Sequence, residues 1–160
     1  MGLFKTLRKQ KDLNVYAPTD GKIGTLESLE DGVFSDHLLG EGVVIESNDG
    51  IVRAPFDGTV VMTMDSKHAI GLMSDSGIEV LIHIGIDTVT MNGEGFNQKI
   101  QKDSKVKKGD ILTEFSKEKI GKAGFRDSVI IIVSNSKEYE SVKPTTVENV
   151  NVGDVILNVK

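Results

Sequence analysis

An all-β fold is expected from this sequence: an antiparallel β-sandwich or barrel-like domain with internal duplication and little helix. Three observations carry that expectation. Short apolar and β-branched runs recur along the chain, punctuated by 17 glycines, which suits many short strands joined by tight corners. Two half-motifs each occur twice: Ala17, Pro18, Asp20 and Gly21 return as Ala54, Pro55, Asp57 and Gly58, while Val106, Gly109 and Asp110 return as Val150, Gly153 and Asp154. Each copy leads into an apolar strand, as a duplicated sandwich with pseudo-twofold character requires. Helical signal is confined to the amino-terminal tail and a turn or two near Lys117–Lys122.

Residues 1–12 form a basic tail in which Lys5, Arg8, Lys9 and Lys11 stand against Asp12 alone. Leu3, Phe4 and Leu7 fall at helical spacing between the cations. The tail is therefore either a short amphipathic helix able to rest on an anionic membrane surface through residues 1–11, or a disordered extension. Residues 13–160 form one domain, the size at which a single chain buries a real core. Strands are expected at 14–17, 22–25, 42–46, 50–54, 58–63, 89–91, 111–115, 128–133 and 155–159, around a central hairpin at 68–87.

That hairpin, HAIGLMSDSGIEVLIHIGID, turns at Ser74, Asp75, Ser76 and Gly77. A turn centred between Asp75 and Ser76 sets His68 directly opposite His83. Alternation then puts Ala69, Gly71 and Met73 with Val80, Ile82 and Ile78 on a core face. His68, Ile70 and Leu72 share the other face with His83, Leu81 and Glu79. Opposed side chains in such a pair have Cβ atoms about 4.5–5.5 Å apart, close enough for two imidazoles to touch or share a small anion or metal.

Composition excludes several functions. With no cysteine there are no disulfides, thiolate metal sites or cysteine nucleophiles. No apolar run is long enough to span a bilayer or act as a signal peptide, so the expected location is the cytoplasm. A formal charge of −5 with 5% aromatic residues argues against nucleic-acid binding. No HExxH, paired-carboxylate or phosphate-loop motif is present, which leaves a hydrolase or nucleotide binder without support.

On the residues alone, phosphoryl relay, zinc binding and core packing all remain open for His68 and His83. Ser66, two residues before His68, is placed to hydrogen-bond it or to serve as a turn hydroxyl. Gly85 permits close backbone approach. Asp87 is available to orient an imidazole, meet a basic partner, or cap a turn with Thr88. Phe34 packs inward or extends an apolar patch near the histidines. His37 would complete a three-ligand zinc site if it joined the pair, but it sits in a polar loop and reads as an ordinary surface histidine.

The pieces APFDGTV, SKHAIGL, SDSGIEVLIHIGIDTVTMNGEGF and VKKGDIL occur in this order, and together they resemble the glucose-type enzyme IIA proteins of the bacterial phosphoenolpyruvate-dependent sugar phosphotransferase system. The likeness runs from about Val15 to Val159. It implies a phosphotransferase component, a phosphoryl relay in sugar uptake that accepts a phosphoryl group on His83 from the small histidine-containing phosphocarrier protein and passes it to the cysteine of a sugar-specific IIB domain. His68 supports the group, Ser66 supplies the hydroxyl that contacts His68, and the Gly85 carbonyl accepts a hydrogen bond from the Nδ1–H of His83, leaving Nε2 as the nucleophile. Asp31 and Asp87 match acidic positions flanking the active face, and Phe34, Met64 and Leu81 match apolar partner-binding positions. No cofactor is required, although His68 and His83 are candidates to hold zinc in a partner complex. The alternative is a regulatory binding module whose phosphorylation state controls permeases or metabolic enzymes. Ser66 stands where many relatives have threonine, Met64 and Leu81 where phenylalanine is frequent, and no proline precedes the FRDSVIIIVSN strand. The tail resembles that of free-standing members of the family.

Overall fold

The computed structural model describes residues 11–160. The expected tail helix falls mostly on residues 1–10, outside the described residues.

Among the described residues, fourteen strands make three sheets, every pairing antiparallel. The strands are β1 (Asn14–Tyr16), β2 (Gly21–Thr25), β3 (Glu41–Ser47), β4 (Ile51–Arg53), β5 (Gly58–Thr63), β6 (Ala69–Ser74), β7 (Glu79–Ile84), β8 (Phe96–Gln98), β9 (Lys105–Val106), β10 (Ile111–Phe115), β11 (Val129–Val133), β12 (Val142–Pro144), β13 (Asn149–Val150) and β14 (Val155–Val159). Among the described residues one α-helix, α1 (Lys117–Lys122), follows Ser116, whose hydroxyl accepts from the Lys119 amide, the usual N-cap arrangement.

The eight-stranded sheet has the order β13-β2-β3-β11-β7-β6-β5-β9. Read from the middle outward it is a palindrome of two related units, and the repeated motifs explain why. Gly21 pairs with Val150 as Gly58 pairs with Val106. The Ala17 amide donates to the Asp154 carbonyl as Ala54 donates to Asp110. Asp154 and Asp110 each accept, through a carboxylate oxygen, from the backbone three residues earlier. Asp20 and Asp57 likewise each accept from the opposite turn, at Val152 and Lys108. The duplication is thus a shared hydrogen-bonding scheme as well as a sequence likeness.

Alternation along the central strands separates two cores. Val129, Ile131 and Val133 of β11 point to the inner face, where Val80, Ile82, Ile70 and Leu72 meet Val15, Leu112 and Ile156 of the two small sheets. Ile130 and Ile132 point outward, under Leu26, Leu29 and Phe34. This second layer is built by residues 26–40, the excursion between β2 and β3. Its counterpart in the other unit, between β5 and β6, is only residues 64–68, so the outer face of β6 and β7 is left uncovered. That asymmetry in an otherwise duplicated sheet creates the exposed face described below.

Two expectations need correction. The hairpin register differs by one residue: Ala69, not His68, pairs with His83, and Ile70, Gly71 and Leu72 pair with Ile82, Leu81 and Val80. The loop is Asp75-Ser76-Gly77, closed by the Ile78 carbonyl accepting from Ser74, with Gly77 at φ +96°. A three-residue loop with a left-handed glycine replaces the expected even-numbered turn, and the faces change accordingly. Ile70 and Leu72 enter the core, while Ala69, Gly71 and Met73 join Leu81 and His83 outside. Residues 89–91 are not a strand either but the end of a 3-10 turn, Thr88–Met91. Positive φ at Gly85 and Asp87 reverses the chain there, overriding the β-propensity of Thr88, Val89 and Thr90. Strands β8, β9, β12 and β13 were absent from the expectation, being two or three residues long and without readable alternation.

Candidate functional site

His83 projects from the penultimate position of β7, opposite Ala69 and beside Ile130 of β11. A small residue on one side leaves room over the ring. His68 lies outside β6, at a bend after Lys67, whose φ of +58° turns the chain. This bend restores what the register removed: the two imidazoles still meet, centroids 4.7 Å apart and nearly perpendicular.

Each ring is fixed through Nδ1. The Nδ1 of His83 lies 2.8 Å from the Gly85 carbonyl, a contact that requires the proton on that nitrogen and leaves the Nε2 lone pair free. Gly85 cannot be replaced without strain. Its φ is +76°, and a Cβ would collide with the Thr88 side chain and the Arg126 carbonyl. Thr88 is itself buried and donates its hydroxyl to the Ile84 carbonyl. The Nδ1 of His68 lies 2.7 Å from the Ser66 hydroxyl.

Burial sets the electrostatics. Desolvation, assisted by the neighbouring His68 imidazole, pushes the His83 pKa from 6.5 down to about 4; the Gly85 carbonyl and the charges of Asp31 and Asp87 only partly oppose it. His68, 4% exposed, is also lowered by burial. Both rings are therefore neutral at physiological pH. Because the folded pKa of His83 lies below that of the unfolded chain, its contribution to stability is full above about pH 6.5 and disappears as pH falls toward 4. The shift corresponds to about 3 kcal/mol. Urea unfolding between pH 7 and 4 is expected to show a steeper acid loss for the native sequence than for His83→Asn.

The remaining expected residues lie at different depths. Phe34 is buried, with its ring centroid 4.9 Å from that of His83; it walls one side of the imidazole. Asp31 is half-buried. Desolvation raises its pKa, but the amides of Ser35 and Phe34, bonded to its two carboxylate oxygens, outweigh that and lower it overall. Asp87 is exposed and left-handed, and its carboxylate does not cap the following turn; its carbonyl accepts from Thr90 instead. Met64 is exposed at the start of the turn that leads to His68, and Leu81 sits half-buried on the outer face. Val61, Met62 and Met73 add further exposed apolar surface.

The imidazole pair supplies two ligands, and among the described residues no group of three or more His, Cys, Asp or Glu is placed to hold a metal. His37 does not join the pair. Its Nε2 meets Glu27 at 2.5 Å and its Nδ1 meets Glu41 at 2.8 Å, an arrangement that sequence reading missed.

The pair thus presents one imidazole whose Nε2 lone pair is left free by the Gly85 contact, beside a second neutral imidazole held by the Ser66 hydroxyl. The sequence model of the phosphoenolpyruvate-dependent sugar phosphotransferase system EIIA 1 family matches residues 13–139. The chain belongs to this EIIA family. A solved structure, the glucose permease IIA from Mycoplasma capricolum, superposes with a TM-score of 0.79 at 37% identity, covering 92% of this chain and 96% of that one. The EIIA fold and function follow: a β-rich phosphotransferase component that relays phosphoryl groups in sugar uptake. Phosphocarrier and IIB proteins are, in general, the partners of such a component. Among the described residues, no helix is long and apolar enough to cross a membrane.

Proposed function

We propose that His83 is the phosphoryl acceptor of this EIIA protein and that His68 holds the transferred group. The observation that carries the reading is the pair of Nδ1 contacts, to Gly85 and Ser66, that frees both Nε2 atoms beside each other. The Nε2 of His83 attacks the phosphorus of a phosphohistidine on the small phosphocarrier protein. One N–P bond forms as another breaks, and the electron pair of the broken bond returns to the donor imidazole. Donor and acceptor nitrogens have similar basicity, so alignment and charge stabilisation decide the rate and no metal is needed. With Ser66 donating to Nδ1, the proton of His68 resides on Nε2, ready for a phosphoryl oxygen. The group then passes to a IIB cysteine, in the cytoplasm.

Docking is assigned to the uncovered half of the sheet, with Met64 and Leu81 beside the imidazoles, the buried Phe34 walling His83 at the edge of the excursion, and Asp31 and Asp87 flanking them. An acidic margin around an apolar patch suits a basic partner surface. Phosphorylation would place about two negative charges in the centre of that patch. The same face would therefore suit a regulatory target that distinguishes the two states, and zinc at the pair would require a further ligand from such a partner.

The test is incubation with phosphoenolpyruvate, enzyme I and the phosphocarrier protein, followed by intact mass measurement in alkaline conditions that preserve phosphohistidine. The expected result is a gain of one phosphoryl group, lost in acid and mapped to His83. No gain with active upstream proteins would overturn the assignment.

A further inference from the structure

The excursion at residues 26–40 carries Phe34 and Asp31 to His83, and something must hold it in place. Its apolar anchor is the outer cluster of Leu26, Leu29 and Phe34 on Val44, Ile130 and Ile132. Its polar anchor is His37, which adopts a left-handed φ of +57° and lies between two carboxylates. One, Glu27, belongs to the 3-10 turn Leu26–Leu29 at the start of the excursion; the other, Glu41, opens β3 at its end. The imidazole therefore ties together both ends of the segment that bears Phe34.

We propose that His37 is a positioning residue for phosphoryl transfer, its cationic ring clamping Glu27 to Glu41 so that Phe34 and Asp31 stay seated against His83. This rests on the reading of His83 as acceptor. Nε2 is hydrogen-bonded to Glu27, while Nδ1 lies 2.8 Å from Glu41 without hydrogen-bond geometry, an ion-pair contact; a carboxylate at each ring nitrogen favours the imidazolium over the neutral ring. The hydrogen bond to Glu27, opposed in part by desolvation and supported by the charge of Glu41, raises the His37 pKa above 6.5. The other charged groups of the excursion, or reaching it from the elements packed on it, are Glu30 and Asp36, both exposed, Asp31 and Arg126. Asp31 is bonded to the Phe34 and Ser35 amides, and Arg126 meets the Leu26–Leu29 turn at the Leu29 carbonyl. A folded pKa above the unfolded value means the clamp is complete at low pH and is lost as pH rises through the raised value. Release of the clamp lets water reach the His83 ring beside Phe34, weakening the desolvation that lowers its pKa.

Two readouts test this. Imidazole NMR titration should place His83 near pH 4 in the native sequence and His37→Lys, but closer to 6.5 in His37→Gln and Glu27→Gln. The rate of phosphoryl acceptance should fall by about two- to fivefold as pH rises through the His37 titration, the scale of a surface ion pair. His37→Lys should hold the low-pH rate across that range, and His37→Gln the high-pH rate. Equal His83 titrations in the native protein, His37→Gln and Glu27→Gln would overturn the proposal, as would a His37→Lys protein that behaves like His37→Gln. The titration decides the positioning even in a protein that accepts no phosphoryl group, so its failure is distinguishable from failure of the relay itself.

Discussion

His83→Ala is expected to abolish phosphoryl acceptance, with no mass gain on exposure to the phosphorylated phosphocarrier protein and a rate lower by at least about 10⁴-fold, the scale of removing a covalent nucleophile. The loss should be chemical rather than structural. The ring is half-buried on the outer face, at the end of β7, and the inner-face residues Val80, Ile82 and Ile84 that anchor the strand are untouched. Far-ultraviolet dichroism and the urea midpoint at pH 7 should therefore show a folded protein. His68 does not substitute as acceptor, because the group it would receive must align with a donor docked for His83, and no second imidazole would then support it. A phosphorylated His83→Ala protein would sink the assignment of the nucleophile.

How far the sequence reveals this site depends on the range of the interactions involved. The proximity of His68 to His83 was legible because a hairpin is local, and its turn residues are visible. Its register was not, since one residue in the loop changes every pair and only the left-handed Gly77 decides between loop lengths. The expectation reached the right neighbours by the wrong geometry: a bend at His68 brings its ring to the face that direct pairing would have given. The duplicated Ala-Pro-x-Asp-Gly and Val-x-x-Gly-Asp motifs disclosed the pseudo-twofold sheet because each copy makes the same backbone bonds. Short edge strands such as β9 and β13 exist only through those bonds and carry no periodic signal of their own. Phe34 against His83, and His37 between Glu27 and Glu41, are products of the excursion's fold over β3 and β11. Glu27 and His37 are ten residues apart across irregular chain, and no spacing rule connects them.

His68→Gln is expected to separate the two halves of the relay, accepting the phosphoryl group within about tenfold of the native rate but passing it to a IIB cysteine about 10²–10³-fold more slowly, the cost typical of losing one transition-state stabilising group. The reason is the charge on the second acceptor. In the first step a neutral imidazole replaces a neutral imidazole, and the phosphoryl group brings all the negative charge there is; a glutamine N–H can serve its oxygens. In the second step a thiolate approaches a phosphoryl dianion, and two anions must come into contact in a site that excludes water. A cation is needed there, and His68 is the group placed to become one. Burial lowers its pKa in the unphosphorylated protein, but a dianion on His83, whose ring centroid is 4.7 Å from that of His68, acts in the opposite direction. Phosphorylation should therefore convert His68 from a neutral donor into an imidazolium, a change glutamine cannot make. NMR titration of His68 in the phosphorylated and unphosphorylated forms measures that conversion directly, and rapid-quench transfer to the IIB domain measures its consequence. A His68→Gln protein that passes the group at the native rate would show that the hydrogen bond suffices and that the positive charge comes from the partner.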